Sequence, residues 1–446
     1  MVAKVAKTRF ETTPAESVLP KVFSMLFGVF IAVSLLKFGN PCVFDEFVSW
    51  PEGGFEWILN QWPVKIGYWM LGGLVVLGLF VVRWRMPEPR WLLLAPLFWL
   101  AWQFVCAVNT INAELTRLTL PHFTACVVCF YLGVFCMNQV RSPSLFWLPV
   151  LCAFVVVILW GLHQRFGGLE ETRTYFFTYI YPQMKSLPPE YMKKISSDRI
   201  FSTLFYPNAL AGALLLLLPA SLAVVWQCST RFTFAARCFL VGCLATAALA
   251  CLYWSGSKGG WLLALLMSLI GLLQLKFGAR LKLALIVLVV VGGVTGFAVK
   301  YATFFKRGAT SVIARFDYWR AAGQTAVSNP FFGTGPGTFG DSYKKIKQPE
   351  SEMARLAHND YVEQASDSGI PGCLAYVIWI IGALCSGYRK PDSPDSLLRY
   401  CTWLGAFGLA TQGLVEFGLY IPALAWVMFT LLGLLIADLG GERTRA

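Results

Sequence analysis

Apolar runs that are long enough to cross a lipid bilayer recur along almost the whole chain. A transmembrane helix needs about 20 apolar residues to span a hydrocarbon core of about 30 Å. Of the 446 residues, 57% are hydrophobic and only 14% are charged, whereas soluble domains are about a quarter charged. The sequence therefore predicts an all-α polytopic membrane protein with about twelve transmembrane helices. The predicted spans are residues 21–39, 66–83, 91–108, 119–138, 144–162, 203–225, 237–254, 261–275, 283–299, 369–387, 401–417 and 422–439.

Lysine and arginine residues occupy alternate loops between these spans. Lys4 precedes the first span, Arg83 follows the second, and Arg280 and Arg389 lie in later loops of the same side. The positive-inside rule places such loops in the cytoplasm. With twelve spans, both termini are then expected to be cytoplasmic. The net charge of +13 follows this topology, so we expect no nucleic-acid partner.

No signal peptide is expected at the N-terminus. Residues 1–20 are polar and basic, and the first apolar run, residues 21–38, has the length of a retained span. We expect residues 1–446 to form a single integral membrane domain.

The opposite side of the membrane receives the long loops. Residues 163–202 form one of them, and residues 300–368 form the largest. A structureless loop of that length is uncommon in a compact protein. We therefore predict two helices in the largest loop, at residues 309–328 and 351–366, joined by a Gly- and Pro-rich turn at residues 329–340.

Positive charge on the outer side contradicts the topology rule and needs its own explanation. Arg199, Lys258, Arg315 and Arg320 all fall on that side. Together they could form a cationic pocket for a phosphate or diphosphate, because Arg offers a planar donor fork and Lys a point charge. The alternative is that each side chain pairs separately with lipid phosphates at the membrane surface.

His358 is the candidate acid–base residue, because a histidine pKa near neutrality suits proton transfer from a hydroxyl nucleophile. A helix over residues 351–366 would place Arg355 and Tyr361 on the same face as His358. The alternative is a hydrogen-bonded structural histidine. Gln412 and Glu416 are polar residues near the end of a predicted span, a costly position, so they either line a cavity or pair internally.

Two further patterns predict no separate site. Residues 333–340 read Gly-Thr-Gly-Pro-Gly-Thr-Phe-Gly, but they follow no predicted strand and lack the lysine spacing of a phosphate-binding loop. We interpret them as a rigid turn. The histidines are isolated and no Asp/Glu pair has ligand spacing, so no metal site is predicted.

Four ordered segments resemble the bacterial O-antigen ligase and O-antigen polymerase superfamily. Ten residues separate His358 from Gly369, as in the His/Gly motif of that superfamily. One departure is Lys258, which stands where members of the superfamily often have Arg. The segments are Arg199 to Ser202 with Tyr206 to Ala211, Ser255 to Trp261, Arg315 to Trp319 with Asn329 to Gly335, and His358 to Tyr361 with Gly369 and Gly372.

The resemblance implies a membrane-embedded glycosyltransferase fold of the C type with a large helical periplasmic loop, in the bacterial inner membrane. It implies transfer of a glycan from undecaprenyl diphosphate to an acceptor such as a lipid A-core sugar, with inversion, at the periplasmic face, without a metal or other cofactor. His358 would act on the acceptor hydroxyl, and Arg199, Lys258 and Arg315 would hold the diphosphate. The full predicted set is His358, Arg315 and Arg199 as catalytic residues and Lys258, Arg320, Arg355, Tyr361, Asn359 and Asn208 as substrate-binding residues.

Three alternatives remain open. An O-antigen or exopolysaccharide polymerase would use the same donor with a different acceptor. A protein oligosaccharyltransferase is less favoured, because no appended periplasmic domain is expected after the last span. A lipid-linked glycan transporter would also have many spans, but transporters tend to carry charges deep in the bundle and to show repeat symmetry.

Overall fold

The structure, a computed structural model, describes residues 18–84, 86–139, 143–181, 196–204, 206–228, 230–306 and 308–437. Within these ranges the regular structure is helical, and no strand is present. Lys4, on which part of the predicted orientation depends, lies outside the described residues, as do residues 182–195 of the predicted loop 163–202.

The helical segments among the described residues comprise seven short ones and fourteen longer helices. The shorter helical segments are Cys42–Phe47, Gly54–Leu59, Met137–Gln139, Gln164–Gly168, Leu169–Tyr175, Phe176–Ile180 and Gly418–Tyr420. The longer helices are α1 (Val18–Lys37), α2 (Val64–Leu79), α3 (Trp91–Ala107), α4 (Ala113–Cys136), α5 (Ser144–His163), α6 (Pro207–Cys228), α7 (Phe234–Ser255), α8 (Lys258–Gln274), α9 (Ala279–Lys306), α10 (Thr310–Ser328), α11 (Phe339–Ile346), α12 (Asp360–Gly387), α13 (Pro394–Gln412) and α14 (Pro422–Ala437).

Each of the twelve predicted spans coincides with one of these helices, which confirms the all-α polytopic class. Seven helical stretches among the described residues are long and apolar enough to cross a membrane, namely α1, α4, Ser144–Thr178, α6, α7, α9 and α12. Helices α2, α3, α8 and α14 are apolar but shorter. Helix α13 ends at Gln412, five residues before the end of its predicted span, so Glu416 lies in a link between helices.

The core lies around α14, in which every residue except Leu434 is buried. Helix α14 packs closely against α4, and α1 packs against α5. Trp426 of α14 stacks on Phe30 of α1 with ring centroids 5.5 Å apart. In contrast to α14, helix α9 is exposed. Its apolar stretch contains no buried residue, and it packs mainly against α8.

The region between residues 300 and 368 is only partly as predicted. The first predicted helix is confirmed as α10, Thr310–Ser328. The second, at residues 351–366, is wrong, because the helix begins at Asp360 and residues 351–358 are not helical. Tertiary contacts outweigh helix propensity here: the backbone of Arg355 lies against Gly340, and Leu356 is buried in the core.

The predicted Gly- and Pro-rich turn is confirmed as a tightly packed connection. Gly335 has φ of 107°, and a Cβ atom there would lie 2.1 Å from Thr110 Oγ1. Gly369, where α12 is broken, has φ of 67°, and its Cβ would lie 2.2 Å from the carbonyl oxygen of Phe331. Only glycine fits such positions without strain. The turn is therefore fixed between the α3–α4 connection and α12.

Candidate active site

A cavity of about 290 Å³ brings together polar side chains from four distant parts of the sequence. Arg199 comes from the segment before α6, Asn208 from the first turn of α6, and Arg315 from α10. His358 and Glu416 come from the segments that precede α12 and follow α13. The folded chain thus joins residues that are more than 200 positions apart in the sequence.

Glu416 is the centre of this arrangement. One carboxylate oxygen, Oε1, accepts hydrogen bonds from Arg315 Nη2 and from Asn208 Nδ2, the latter at 2.5 Å. The other oxygen, Oε2, lies 3.1 Å from His358 Nδ1. The Arg315 guanidinium also donates to the carbonyl oxygen of Val415 at 3.1 Å. One carboxylate therefore holds a guanidinium, an amide and an imidazole around the cavity.

The charge state of Glu416 follows from these contacts. Burial by itself would raise the pKa of this carboxyl group. The hydrogen bond with His358 and the positive charges of Arg315 and Arg199 outweigh burial and hold the pKa below its ordinary value of 4.5. Glu416 is therefore an anion at neutral pH, paired as a buried charge must be.

Arg199 is held by two hydrogen bonds on the other side of Asn208. Its Nη2 donates to Asn208 Oδ1 at 2.7 Å, and its Nε donates to the carbonyl oxygen of Ser255 at 2.7 Å. Burial lowers the pKa of Arg199, although Glu416 acts in the opposite direction. A guanidinium has five N–H donors, so the two described side-chain bonds leave further donors for a ligand.

His358 has an unusual backbone conformation, with φ of 52°. The left-handed region is uncommon for residues other than glycine, and such strain concentrates at functional sites. The imidazole ring lies between aromatic rings, at 4.6 Å from the centroid of Phe417 and 5.9 Å from that of Tyr318. Trp319 Nε1 lies 3.4 Å from the His358 carbonyl oxygen. Side chains on two sides therefore fix the ring.

The tautomer of His358 follows from its partner. A carboxylate can only accept hydrogen bonds, so Nδ1 carries the proton that points to Glu416. In the neutral imidazole the lone pair is then on Nε2. No hydrogen bond to Nε2 is found among the described residues, so this nitrogen is the one that can accept a proton.

Three buried carboxyl groups on the first two turns of α12, each with a pKa raised by burial, hold the segments around the site. Asp360 accepts hydrogen bonds from the Leu419 N–H at 3.1 Å, close after Glu416. Glu363 accepts from the N–H of Ala357 at 2.7 Å, next to His358. Asp367 accepts a hydrogen bond from the N–H of Gly337, in the Gly- and Pro-rich turn, at 2.8 Å. Spacings of three and seven residues place these carboxyl groups on one helix face, so each one fixes a different segment.

The structure places Arg199, Arg315, His358 and Asn208, from the predicted set, at the cavity. Lys258 begins α8 and does not line the cavity, although it is close enough to Arg199 and Arg315 for electrostatic repulsion.

Arg320 and Arg355 have partners outside the cavity lining. Arg320 is exposed and pairs with Asp317 at 3.1 Å. Arg355 lies 5.1 Å from the ring centroid of Phe44 and 3.5 Å from Glu46.

Asn359 and Tyr361 have structural contacts. The Asn359 side chain caps α12 by accepting from the N–H groups of Tyr361 and Val362, each at 3.0 Å. The Tyr361 hydroxyl donates to the carbonyl oxygen of Ala410 at 2.8 Å. The expected common helix face of Arg355, His358 and Tyr361 is wrong, because the helix starts only at Asp360.

Glu416 is the central residue of the candidate site, and the predicted site set omits it. The sequence signal was present, since a carboxylate near the end of an apolar run is costly and needs a partner. What the sequence lacked was the identity of that partner, because Arg315 and His358 are 101 and 58 residues away. Within the described ranges, no group of three or more His, Cys, Asp or Glu side chains has a metal-binding arrangement.

One comparison with known proteins gives a match, and it covers the middle of the chain. Residues 241–377 match the family model described as O-antigen ligase. This range contains Lys258, Arg315 and His358, whereas Arg199 and Glu416 lie outside it. No curated protein gives a significant match. The matched range supports the resemblance of this polytopic membrane protein to the O-antigen ligase superfamily, and it covers less than half of the chain.

Proposed function

We propose that this protein transfers a glycan from undecaprenyl diphosphate to a hydroxyl group of a lipid A-core sugar, at the periplasmic face of the bacterial inner membrane. The observation that carries the proposal is the joining of His358, Arg315 and Asn208 by the Glu416 carboxylate around one cavity. A base and cationic groups at one cavity are what the displacement of a diphosphate requires.

His358 is the proton acceptor in this proposal. The oxygen of the acceptor hydroxyl attacks the anomeric carbon, and its proton passes to Nε2 of His358. The Nδ1–H hydrogen bond to Glu416 at 3.1 Å orients the ring and stabilises the imidazolium that forms. General base catalysis of this kind contributes about 10²- to 10⁴-fold to the rate.

Arg315 and Arg199 stabilise the leaving group. As the new carbon–oxygen bond forms, the bond between the anomeric carbon and the phosphate oxygen breaks, and its electron pair leaves with the diphosphate. Guanidinium groups match phosphate oxygens through paired N–H donors. Attack on the side opposite the leaving group inverts the anomeric centre. No step in this scheme needs a metal.

The membrane orientation is also part of the proposal. The alternation of Lys and Arg along the chain supports cytoplasmic termini and a periplasmic cavity. Periplasmic reporter fusions after Gln348, in the segment that follows α11, and after Arg280 of α9 test it. The expected result is activity of a periplasmic reporter at the first site only, and the reverse pattern would contradict the orientation.

The decisive experiment is glycan transfer by the purified protein in detergent. The protein receives an undecaprenyl-diphosphate-linked glycan with lipid A-core, or the same donor alone, with and without a chelator. Glycan on lipid A-core in both conditions supports the proposal. Longer lipid-linked chains without product on lipid A-core would instead identify a polymerase. Absence of transfer with several matched donors would contradict a transferase and favour a transporter.

A further inference from the structure

We propose that Lys300 and Lys258 form a loading site, where the diphosphate headgroup of the membrane-embedded donor binds before it reaches the cavity. The two side chains stand at neighbouring ends of α9 and α8, beside Arg199. This inference rests on the proposed function, because it takes a lipid-linked diphosphate as the donor. It adds a binding position and a residue, Lys300, that the sequence did not single out as part of a site.

Aromatic rings hold the two ammonium groups without neutralising them. Lys300 Nζ lies 3.0 Å from the ring centroid of Tyr253, and it also donates to the Tyr253 carbonyl oxygen. Lys258 Nζ lies 3.7 Å from the ring centroid of Phe304. Tyr301 is shared, at 5.7 Å from Lys300 and 5.3 Å from Lys258. A cation–π contact stabilises an ammonium and leaves its full charge in place.

The positive charge of this group has no acidic partner nearby. Among the described residues, no carboxylate lies within 4.0 Å of Lys258 or Lys300. Both lysines also experience the repulsive charge of Arg199. Like charges held together in a partly buried place are destabilising unless an anion compensates them. A diphosphate headgroup is an anion of suitable charge.

The location points to a ligand that arrives from the lipid. Helix α9 has no buried residue in its apolar stretch, and only 17% of the corresponding stretch of α7 is buried. Such helices present apolar surface to the bilayer. Lys300 lies near the end of α9, and Tyr253 lies near the adjacent end of α7. A polyprenyl chain can therefore lie along α9 while its headgroup contacts Lys300.

The loading site is continuous with the cavity. Arg199 donates to the carbonyl oxygen of Ser255, at the end of α7. At Gly256, a Cβ atom would already lie 3.1 Å from Arg199 Nε. Lys258 follows two residues later. A diphosphate headgroup that leaves Lys300 can thus contact Lys258 and then Arg199. It is next to a cationic side chain at each position.

The test compares Lys300→Met, which keeps the length of the side chain and removes the charge, with Lys300→Arg, which keeps the charge. Lys282→Met is the matched control, because Lys282 is at the other end of α9, where it donates to the carbonyl oxygen of Leu273 at 3.1 Å. Binding of undecaprenyl diphosphate to the full chain in lipid nanodiscs is measured by native mass spectrometry. Binding of inorganic diphosphate to the same variants is measured by calorimetry.

We expect Lys300→Met to weaken binding of undecaprenyl diphosphate about 10-fold, equivalent to about 1.4 kcal/mol. Lys300→Arg and Lys282→Met are expected to bind it as the unmodified protein does. Inorganic diphosphate carries the same anionic group without the polyprenyl chain, so Lys300→Met is expected to weaken its binding by the same factor or less. Undiminished lipid binding by Lys300→Met would overturn the loading site. So would an equal loss in Lys282→Met.

A second measurement separates this inference from the transferase proposal. The binding assay involves no glycan transfer, so it remains informative if the transfer assay fails. Where transfer is observed, Lys300→Met is expected to raise the KM for the undecaprenyl-linked donor and to leave kcat unchanged. With a short-chain, water-soluble diphosphate donor, kcat/KM is expected to stay the same. A loss of kcat with both donors would place Lys300 in the reaction itself and overturn the loading role.

Discussion

Glu363 accepts a hydrogen bond of 2.7 Å from the backbone N–H of Ala357, the residue directly before His358. The carboxyl group is fully buried, and it lies in the same helix that Asn359 caps. A buried side chain outside the cavity lining thus fixes the backbone that carries the proposed base.

Replacing Glu363 by Ala is expected to lower kcat at least about 10-fold, because the buried N–H of Ala357 would lose its acceptor, and an unsatisfied buried donor costs about 1–3 kcal/mol. Glu363→Gln keeps an acceptor oxygen and should retain most of the activity. A positioning role predicts little change in donor KM for either variant. Steady-state kinetics test this, and equal defects in the Ala and Gln variants would contradict it.

Replacing Arg315 by Ala is expected to weaken donor binding at least about 10-fold, because the guanidinium is a charged donor at the cavity and breaking a buried ion pair is costly. Arg320→Ala is the matched control on the same helix, since Arg320 is exposed and pairs with Asp317. Equilibrium binding of the lipid-linked donor measures both. An equal loss of donor affinity in the two variants would argue against the cavity as the donor-binding site.

At position 358, both His358→Ala and His358→Gly are expected to reduce transfer about 10²- to 10⁴-fold, as removal of a general base does. The two variants should differ in stability, because a left-handed backbone costs about 1–2 kcal/mol for a residue with a Cβ atom. We expect the Gly variant to unfold at the higher temperature in detergent. Near-normal transfer by either variant would exclude His358 as the base.

Gly369→Ala is expected to destabilise the protein strongly, because φ is 67° and the new Cβ would lie 2.2 Å from the carbonyl oxygen of Phe331. Gly323→Ala in α10 is the control, since nothing lies within 4 Å of a Cβ there and Ala favours a helix by about 1 kcal/mol over Gly. The unfolding temperature in detergent should fall for Gly369→Ala and should stay the same or rise for Gly323→Ala. Similar unfolding temperatures would refute the tight turn.

The stability of the protein is expected to fall in acid through Glu416. Its pKa in the folded state lies below the ordinary value of 4.5, so its contribution is fully present above that value and is lost as the pH falls through the folded pKa. Glu416→Gln should be less stable than the unmodified protein at pH 7. Its stability should fall less than that of the unmodified protein as the pH is lowered below about 4.5. An unchanged acid dependence in the variant would assign the effect to other groups.

The membrane helices could be predicted from the sequence because hydropathy reports their length directly. Helix α10 was also predicted, with a difference of one residue at its start. The predicted helix at residues 351–366 failed for a physical reason. Local propensity favoured it, but the N–H of Ala357 is satisfied by Glu363 rather than by a helical carbonyl group.

The sequence could predict which residue types form the candidate site. It could not predict which of these residues contact one another. His358, Arg315 and Arg199 could be singled out because each is unusual for its place in the sequence. Their meeting point, Glu416, depends on how α10 and the α13–α14 link pack. No local pattern encodes that packing, and for the same reason Arg355 and Arg320 looked equivalent to Arg315 until their partners were known.

The shared carboxylate of Glu416 makes the site epistatic. Substituting Arg315 alters the charge beside His358, and substituting Asn208 removes one contact of Arg199 and one hydrogen bond to Glu416. Free energies of substitutions within such a network do not add. Double-mutant cycles among Arg315, Asn208 and His358 are therefore expected to give large coupling energies, whereas substitutions of Arg320 and Arg355, outside the network, are expected to add to them.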